Sequence, residues 1–161
     1  MKIKLKPNID VGNGKRGTRM ELTHPRLGKI QYESSEIINF PQGLPGYIHL
    51  KDYLLIRNKE TEPFVWLVSV DDPLASFPMV NPLLFYRDYN PTITKRDLAE
   101  LSMSTPQSLL MYSIVTLHVS DYTQSTANLS GPILINLEKK IGKQLVLLDD
   151  RYSTKHRIFT A

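Results

Sequence analysis

The chain has 161 residues, with 20 Lys and Arg against 16 Asp and Glu, no cysteine and a formal net charge of +4. That length suits one domain with a single core, and the lack of cysteine excludes disulfides and thiolate metal sites, in keeping with a reducing compartment. No apolar run is long enough to cross a bilayer as a helix, and no apolar stretch of the signal-peptide kind follows the basic start, so the expected location is cytoplasmic.

The charge is unevenly spread. Residues 1–29 carry eight Lys/Arg and two Asp/Glu, a balance of +6, whereas residues 30–161 carry twelve and fourteen, a balance of −2. By composition, with Asn8, Gly12, Asn13, Gly14 and Gly17, residues 1–18 read as a flexible basic leader that folding does not need, and residues 19–161 as the folded domain. Gly12-Asn13-Gly14-Lys15 resembles a phosphate loop only superficially, lacking its spacing and the strand and helix that must flank it.

Arg19 to Thr23 and Gly28 to Tyr32 alternate around the turn chemistry of His24-Pro25-Arg26-Leu27, which predicts a first β-hairpin. Ile38 and Phe40 alternate with Asn39 and run into Pro41-Gln42-Gly43-Leu44-Pro45-Gly46-Tyr47. Two prolines and two glycines there force a sharp change of direction, and Leu44 and Tyr47 are expected to anchor this elbow on the core. Leu50 to Asp52 read as a short turn or helical fragment. Tyr53 to Ile56 and Phe64 to Val70 are near-continuously apolar, as expected of strands covered on both faces, and Asp71-Asp72-Pro73 stops the second.

Proline places Phe77 to Val80 and Leu83 to Tyr86 in an irregular or edge position. One helix is predicted over Lys95 to Ser102, with Thr94 as N-cap and Asp97 at the third position, where its charge suits the helix dipole. Ser108 to Val119 is the longest strand candidate, Ser120 to Gly131 a long polar loop, and Pro132 to Leu137 with Gln144 to Leu148 a closing hairpin. Many short strands with one or two short helices predict a mainly β chain, an antiparallel β-barrel-like single domain.

Nothing in the residues points to catalysis. His24, His49, His118 and His156 fall in no metal-ligand spacing, and Asp71-Asp72 and Asp149-Asp150 lack the alternating ligands of a calcium loop, so they read as turn caps. No cofactor is implied. Asn128 and Thr126 either bind a partner or satisfy backbone groups before Pro132. Two classes remain: a protein-binding module with aromatic and acidic loops, and a small RNA-binding β-barrel using the basic N-terminal arm. The second needs basic and aromatic residues on the same strands, yet Phe64, Trp66, Tyr53 and Phe77 sit in apolar surroundings and the leader has no aromatic.

Ile38-Asn39-Phe40-Pro41-Gln42-Gly43-Leu44-Pro45-Gly46-Tyr47, Pro63-Phe64-Val65-Trp66-Leu67 with Asp71-Asp72-Pro73, Thr126 to Asn136, Gly142-Lys143-Gln144 and Tyr152 occur in the order of the bacterial flagellar assembly factor family FliW, which the chain resembles over most of residues 19–157. The resemblance implies a non-enzymatic module that holds the translational regulator CsrA away from its RNA surface, relieves repression of flagellin mRNA, and is itself sequestered by flagellin. Such a module is expected to be monomeric when free and to bind neither membrane nor specific nucleic acid. Around its motif loops the candidate contact residues are Asn39, Gln42, Asp71, Asp72 and Asn128. Phe40, Gly43, Pro45, Gly46, Phe64, Trp66, Pro132 and Asn136 are expected to be structural.

Overall fold

The computed structural model describes residues 19–159; the leader of residues 1–18, and the expectation that folding does not need it, lie outside the described residues. Eleven strands follow in order: β1 Arg19–His24, β2 Gly28–Glu33, β3 Ile38–Asn39, β4 Asp52–Arg57, β5 Val65–Ser69, β6 Ser76–Val80, β7 Leu110–Thr116, β8 Thr126–Ala127, β9 Ile133–Asn136, β10 Ile141–Gln144 and β11 His156–Arg157. One α-helix, α1 Lys95–Glu100, and short 3-10 turns complete the described chain. Strands β7, β6, β5, β4, β3, β10 and β9 are neighbours in that order, and β9 pairs back onto β7, so seven strands close a barrel. Closure removes the free edges that an open sheet of this size exposes. Every pair is antiparallel except β3 with β10.

The double-sided apolar character of β4 and β5 has a clear cause. Tyr53, Val65 and Leu67 face the barrel interior with Ile38, Phe40, Met79, Ile133 and Ile135. Leu54, Ile56, Trp66 and Val68 point outward and are covered by Leu22, Leu27 and Ile30 of the β1–β2 hairpin. Strand alternation divides the residues between the two layers. On the other flank, Leu101 at the end of α1 packs with Leu134 and Leu145. Beyond the barrel wall, β7 continues to β8, and β8 pairs with β11.

Four expectations change. Ser76–Val80 is an interior barrel strand rather than an edge: β6 meets β7 only at Met79 and Val80, so Pro78 lies beyond that ladder. Leu50 and Lys51 belong to no helix or turn and lead straight into β4, with the Lys51 carbonyl accepting from Phe40 N–H at 2.7 Å. The polar loop contains β8, and Ser125 inside it is buried. The closing hairpin is tighter than its apolar pattern suggests, since Lys140 adopts a φ of 55° and returns the chain early, making Ile141–Gln144 the second strand. The helix has the predicted cap in full. Thr94 Oγ1 accepts from Asp97 N–H at 3.1 Å, and the Asp97 carboxylate accepts from Thr94 N–H at 2.9 Å. Ser102, at φ 56°, then ends the helix while Met103 N–H reaches the Leu98 carbonyl at 2.8 Å.

Candidate functional site

The elbow is built on strand β3 and closes one end of the barrel. Phe40 is fully buried and meets Tyr53 edge to face, ring centroids 5.2 Å apart. It needs a strand without a side chain opposite: a Cβ on Gly142 of β10 would fall 2.3 Å from the Phe40 ring. The turn is then tied by Gly43 N–H to the Phe40 carbonyl at 2.8 Å and by Tyr47 N–H to the Leu44 carbonyl at 2.7 Å. Gly43 has φ +65°, and a Cβ there would lie 2.7 Å from the Ile48 Cα, so both conformation and space require glycine. Gly46, at φ +83°, has open space around it and is required by conformation alone. Leu44 is the buried anchor. Tyr47, expected beside it in the core, is half-exposed instead and lies edge-on to Phe77 with centroids 5.2 Å apart.

The loop after β5 sits beside this elbow. Ser69 Oγ, buried, accepts from both Asp71 N–H (3.2 Å) and Asp72 N–H (3.1 Å). Asp72 Oδ1 accepts from Leu74 N–H at 3.1 Å, and Ala75 packs into the same core as Leu44 and Leu50. Asn39 donates from Nδ2 to Asp52 Oδ1 at 3.0 Å, and the Asp52 carbonyl accepts from Val70 N–H, next to Asp71. Asn39, Asp52, Asp71 and Asp72 thus come together at the barrel mouth. Projecting from the same loops are Ile48, 67% exposed, and Leu74, 78% exposed. Exposed apolar side chains on pinned loops, rimmed by carboxylates, are the makings of a protein-contact surface. Sequence reasoning found the aspartates but missed Asp52, Ile48 and Leu74. The available signal was an isolated leucine directly after Asp-Asp-Pro, where turn chemistry alone has no use for it.

The other two contact candidates lie apart from this mouth. Gln42 Nε2 donates to Glu100 of α1 at 3.2 Å and lines an open groove of about 720 Å³ between the elbow, α1 and the segment 143–149. There Lys143 of β10 pairs with Asp97 at 2.8 Å and with Glu100, and Arg96 reaches Glu100 at 3.2 Å. Burial opposes ionisation of Asp97, but hydrogen bonds from Lys143 and from Thr94 prevail and hold its pKa below the ordinary value. Hydrogen bonding to Lys143 lowers the Glu100 pKa as well. For Lys143, burial works against the charge, and its two carboxylate partners more than offset it, raising the pKa. Asn128 does what a local cap does: its Oδ1 accepts from Ser130 N–H at 3.0 Å, and its own N–H reaches the Ile114 carbonyl.

Of the residues expected to be structural, Phe40, Gly43, Trp66, Pro132 and Asn136 are buried and Phe64 is partly buried, whereas Pro45 and Gly46 are exposed. Trp66 is 8% exposed, beneath the hairpin and edge-on to His24 with centroids 5.9 Å apart. Phe64 packs with Val80 and Val115, and the Pro132 carbonyl accepts from Leu145 N–H. Asn136 joins α1 to the barrel, its Nδ2 donating to the Leu101 carbonyl at 2.8 Å. Pro45 lies exposed at the tip of the elbow. Among the described residues no three His, Asp or Glu side chains converge as a metal site would require.

A family model described as FliW protein matches residues 21–158. The chain belongs to the FliW family. Flagellar assembly factor FliW of Moorella thermoacetica is 36% identical over 140 residues, covering 87% of this chain and 89% of that protein. The FliW of Thermosipho africanus is 36% identical over 133 residues, covering 83% and 92%, and that of Alkaliphilus metalliredigens 39% over 140 residues, covering 86% of each. A crystal structure of the flagellar assembly factor FliW superposes with a TM-score of 0.82 at 32% identity, covering 88% of this chain and 99% of the other. The closed barrel, the elbow and the hairpin are therefore described on a FliW fold, and the chain is a member of a flagellar assembly factor family.

Proposed function

We propose that this protein works in flagellar assembly by stoichiometric binding rather than catalysis: it antagonises CsrA, relieves repression of flagellin synthesis, and binds flagellin, acting in the cytoplasm as a free monomer. Membership of the flagellar assembly factor family supports the process. The observation that carries the binding reading is the barrel mouth, where Ile48 and Leu74 stand exposed beside Asp52, Asp71 and Asp72 on loops held by Ser69 and Asn39. Pinned loops lose little conformational entropy on binding, and a carboxylate rim favours a basic partner. Asn39, Asp71 and Asp72 are the contact residues this reading keeps at its centre, with Gln42 and Asn128 outside it.

Titration calorimetry with purified CsrA and with flagellin tests this directly. Asp71→Lys reverses a charge without touching a buried side chain and is expected to weaken CsrA binding by about tenfold, a change on the order of 1.4 kcal/mol, at an unchanged thermal midpoint. Asp72 also caps Leu74 N–H, so Asp72→Asn keeps the cap and isolates the charge. Sequence-selective RNA binding with no measurable CsrA binding would instead make the protein an RNA-binding barrel. RNA binding that falls steeply with salt is the nonspecific contribution of a basic leader and leaves the reading standing.

A further inference from the structure

The groove between the elbow, α1 and the segment 143–149 has an unpaired strand edge as one wall. Leu145 N–H donates to the Pro132 carbonyl and Leu147 N–H to the Ser130 carbonyl, both at 2.9 Å, which carries the register of β10 on β9 past Gln144. Burial keeps the same alternation: Leu145 and Leu147 pack with Leu134, whereas Val146 and Leu148 are 71% and 95% exposed. In a strand, alternate residues present their N–H and C=O groups to opposite edges. Val146 and Leu148 therefore present theirs away from β9, and among the described residues neither amide has a backbone partner. Strand β3, the neighbour of β10 on that side, pairs with it only at Asn39 with Ile141 and then leaves as the elbow, whose Gln42 lines the groove instead.

Each property of this groove narrows what fits it. Free backbone donors and acceptors on a strand edge are matched most completely by another extended backbone. The edge lies along a groove of about 720 Å³, with Gln42, Thr92 and Thr94 among the other lining residues, so a single strand reaches it where the wall of a second barrel does not. The charges that line it are paired within the molecule, Lys143 with Asp97 and Glu100, and Asp149 with Arg151 at 2.6 Å. A charged ligand would lose hydration on entering and find no free counter-charge, so the segment that fits is uncharged. An added strand brings its alternate side chains beside Val146 and Leu148, and covering these two asks for apolar residues at every second position. We propose that the groove binds a short, uncharged segment of another protein, extended and apolar at alternate positions, as a strand added to the Val146–Leu148 edge. This goes beyond the barrel-mouth reading: the mouth selects by charge, the groove by backbone pairing and apolar contact, and either can fail without the other.

Amide exchange followed by NMR on the full chain tests this, with a short blocked peptide of alternating threonine and valine as the probe. At saturating peptide, exchange at Val146 and Leu148 is expected to slow by at least about tenfold, while Leu145 and Leu147, bonded to the opposite edge, stay unchanged. The same peptide with every backbone amide N-methylated should leave the rates as they were, and replacing its threonines by lysine or by glutamate should not tighten binding. Val146→Pro removes an outward N–H that makes no backbone bond among the described residues, and Leu148→Asp places a charge at an exposed position. Each is expected to weaken peptide binding by at least about tenfold at an unchanged thermal midpoint. Unchanged exchange at Val146 and Leu148 under millimolar peptide overturns the proposal, as does binding undiminished in both variants or tighter binding of a charged peptide. Protection of the two amides in the free protein also overturns it, because the edge is then already covered, by a second copy where the protection rises with concentration.

Discussion

Two elements outside the barrel are fastened to it by different physics. The β1–β2 hairpin lies on β4 and β5 through Leu22, Leu27 and Ile30 against Leu54, Ile56, Trp66 and Val68. Its polar tie is a single imidazole: His24 Nδ1 accepts from Arg26 and Leu27 N–H, leaving Nε2 to carry the proton and donate to Ser76 Oγ at 2.7 Å. The helix α1, only six residues long, buries Leu98 and, at its C-terminal cap, Leu101, and is otherwise held by charge, through Lys143, and by hydrogen bonds from Asn136 and Gln42. A two-stranded hairpin and a six-residue helix are both too short to be stable alone. Each exists because of what it docks on, so breaking the dock shows how much of it is apolar area and how much is electrostatic.

The largest effect is expected from Trp66→Ala. The indole fills the space between hairpin and barrel, and its removal leaves a cavity that β-strands close poorly, at a cost of roughly 3–5 kcal/mol. Chemical denaturation would register this as a lower midpoint. A folded Trp66→Ala chain at full stability that fails to bind CsrA would move the indole from the core to the interface.

This apolar dock was legible in the sequence. Leu22 and Ile30 alternate within their strands, and the run from Phe64 to Val70 announces two covered faces without naming the cover. The helix was legible for a different reason, since Thr94 and Asp97 lie three residues apart and cap locally. What fastens the helix was not legible. Lys143 lies 46 residues from Asp97, and no local rule connects a lysine in a closing hairpin with a carboxylate already explained as a cap. Pro78 misled for a related reason: proline argues against a paired strand, but whether its missing N–H matters depends on where a neighbouring ladder stops, which tertiary structure alone decides. The barrel mouth was half legible, because turn chemistry exposed Asp71 and Asp72 while the exposure of Ile48 and Leu74 depends on loops folded over a core.

The two docks are expected to respond to acid in different pH ranges. Burial, and then the Arg26 cation, lower the His24 pKa from the ordinary 6.5. Its unfolded state thus binds the proton more readily, so the hairpin's contribution is complete above 6.5 and is lost as pH falls through the lowered folded value. Asp97 and Glu100 are lowered from 3.8 and 4.5, so their contribution is complete above those values and is lost only at lower pH. Lys143→Met keeps the aliphatic packing, leaves two carboxylates one helical turn apart without their cation, and is expected to cost about 1–2 kcal/mol at neutral pH. Its stability profile below pH 4 should be flatter than the parent's, while the decline beginning near 6.5 should be retained. Loss of the upper decline in Lys143→Met would mean that hairpin and helix are one coupled unit.

The smallest effect is expected from Arg96→Ala, which tests whether the helix is held by charge in general or by Lys143 in particular. Arg96 and Glu100 are four residues apart on α1, but the arginine side chain is 88% exposed, whereas that of Lys143 is 15% exposed. Solvent screens the first pair, and ordering a long side chain offsets much of what remains, so Arg96→Ala alone should change stability by less than about 0.5 kcal/mol, and by less still in high salt. Glu100 is shared between the two cations, which makes the background decisive. With Lys143 replaced by Met, Arg96 is the remaining cation on that carboxylate, and Arg96→Ala should then cost more than it does in the parent. A double-mutant cycle reads this difference as a coupling energy. Strict additivity would show that Glu100 contributes little to the dock and that Asp97, which also caps the helix, carries the charge interaction with Lys143 alone.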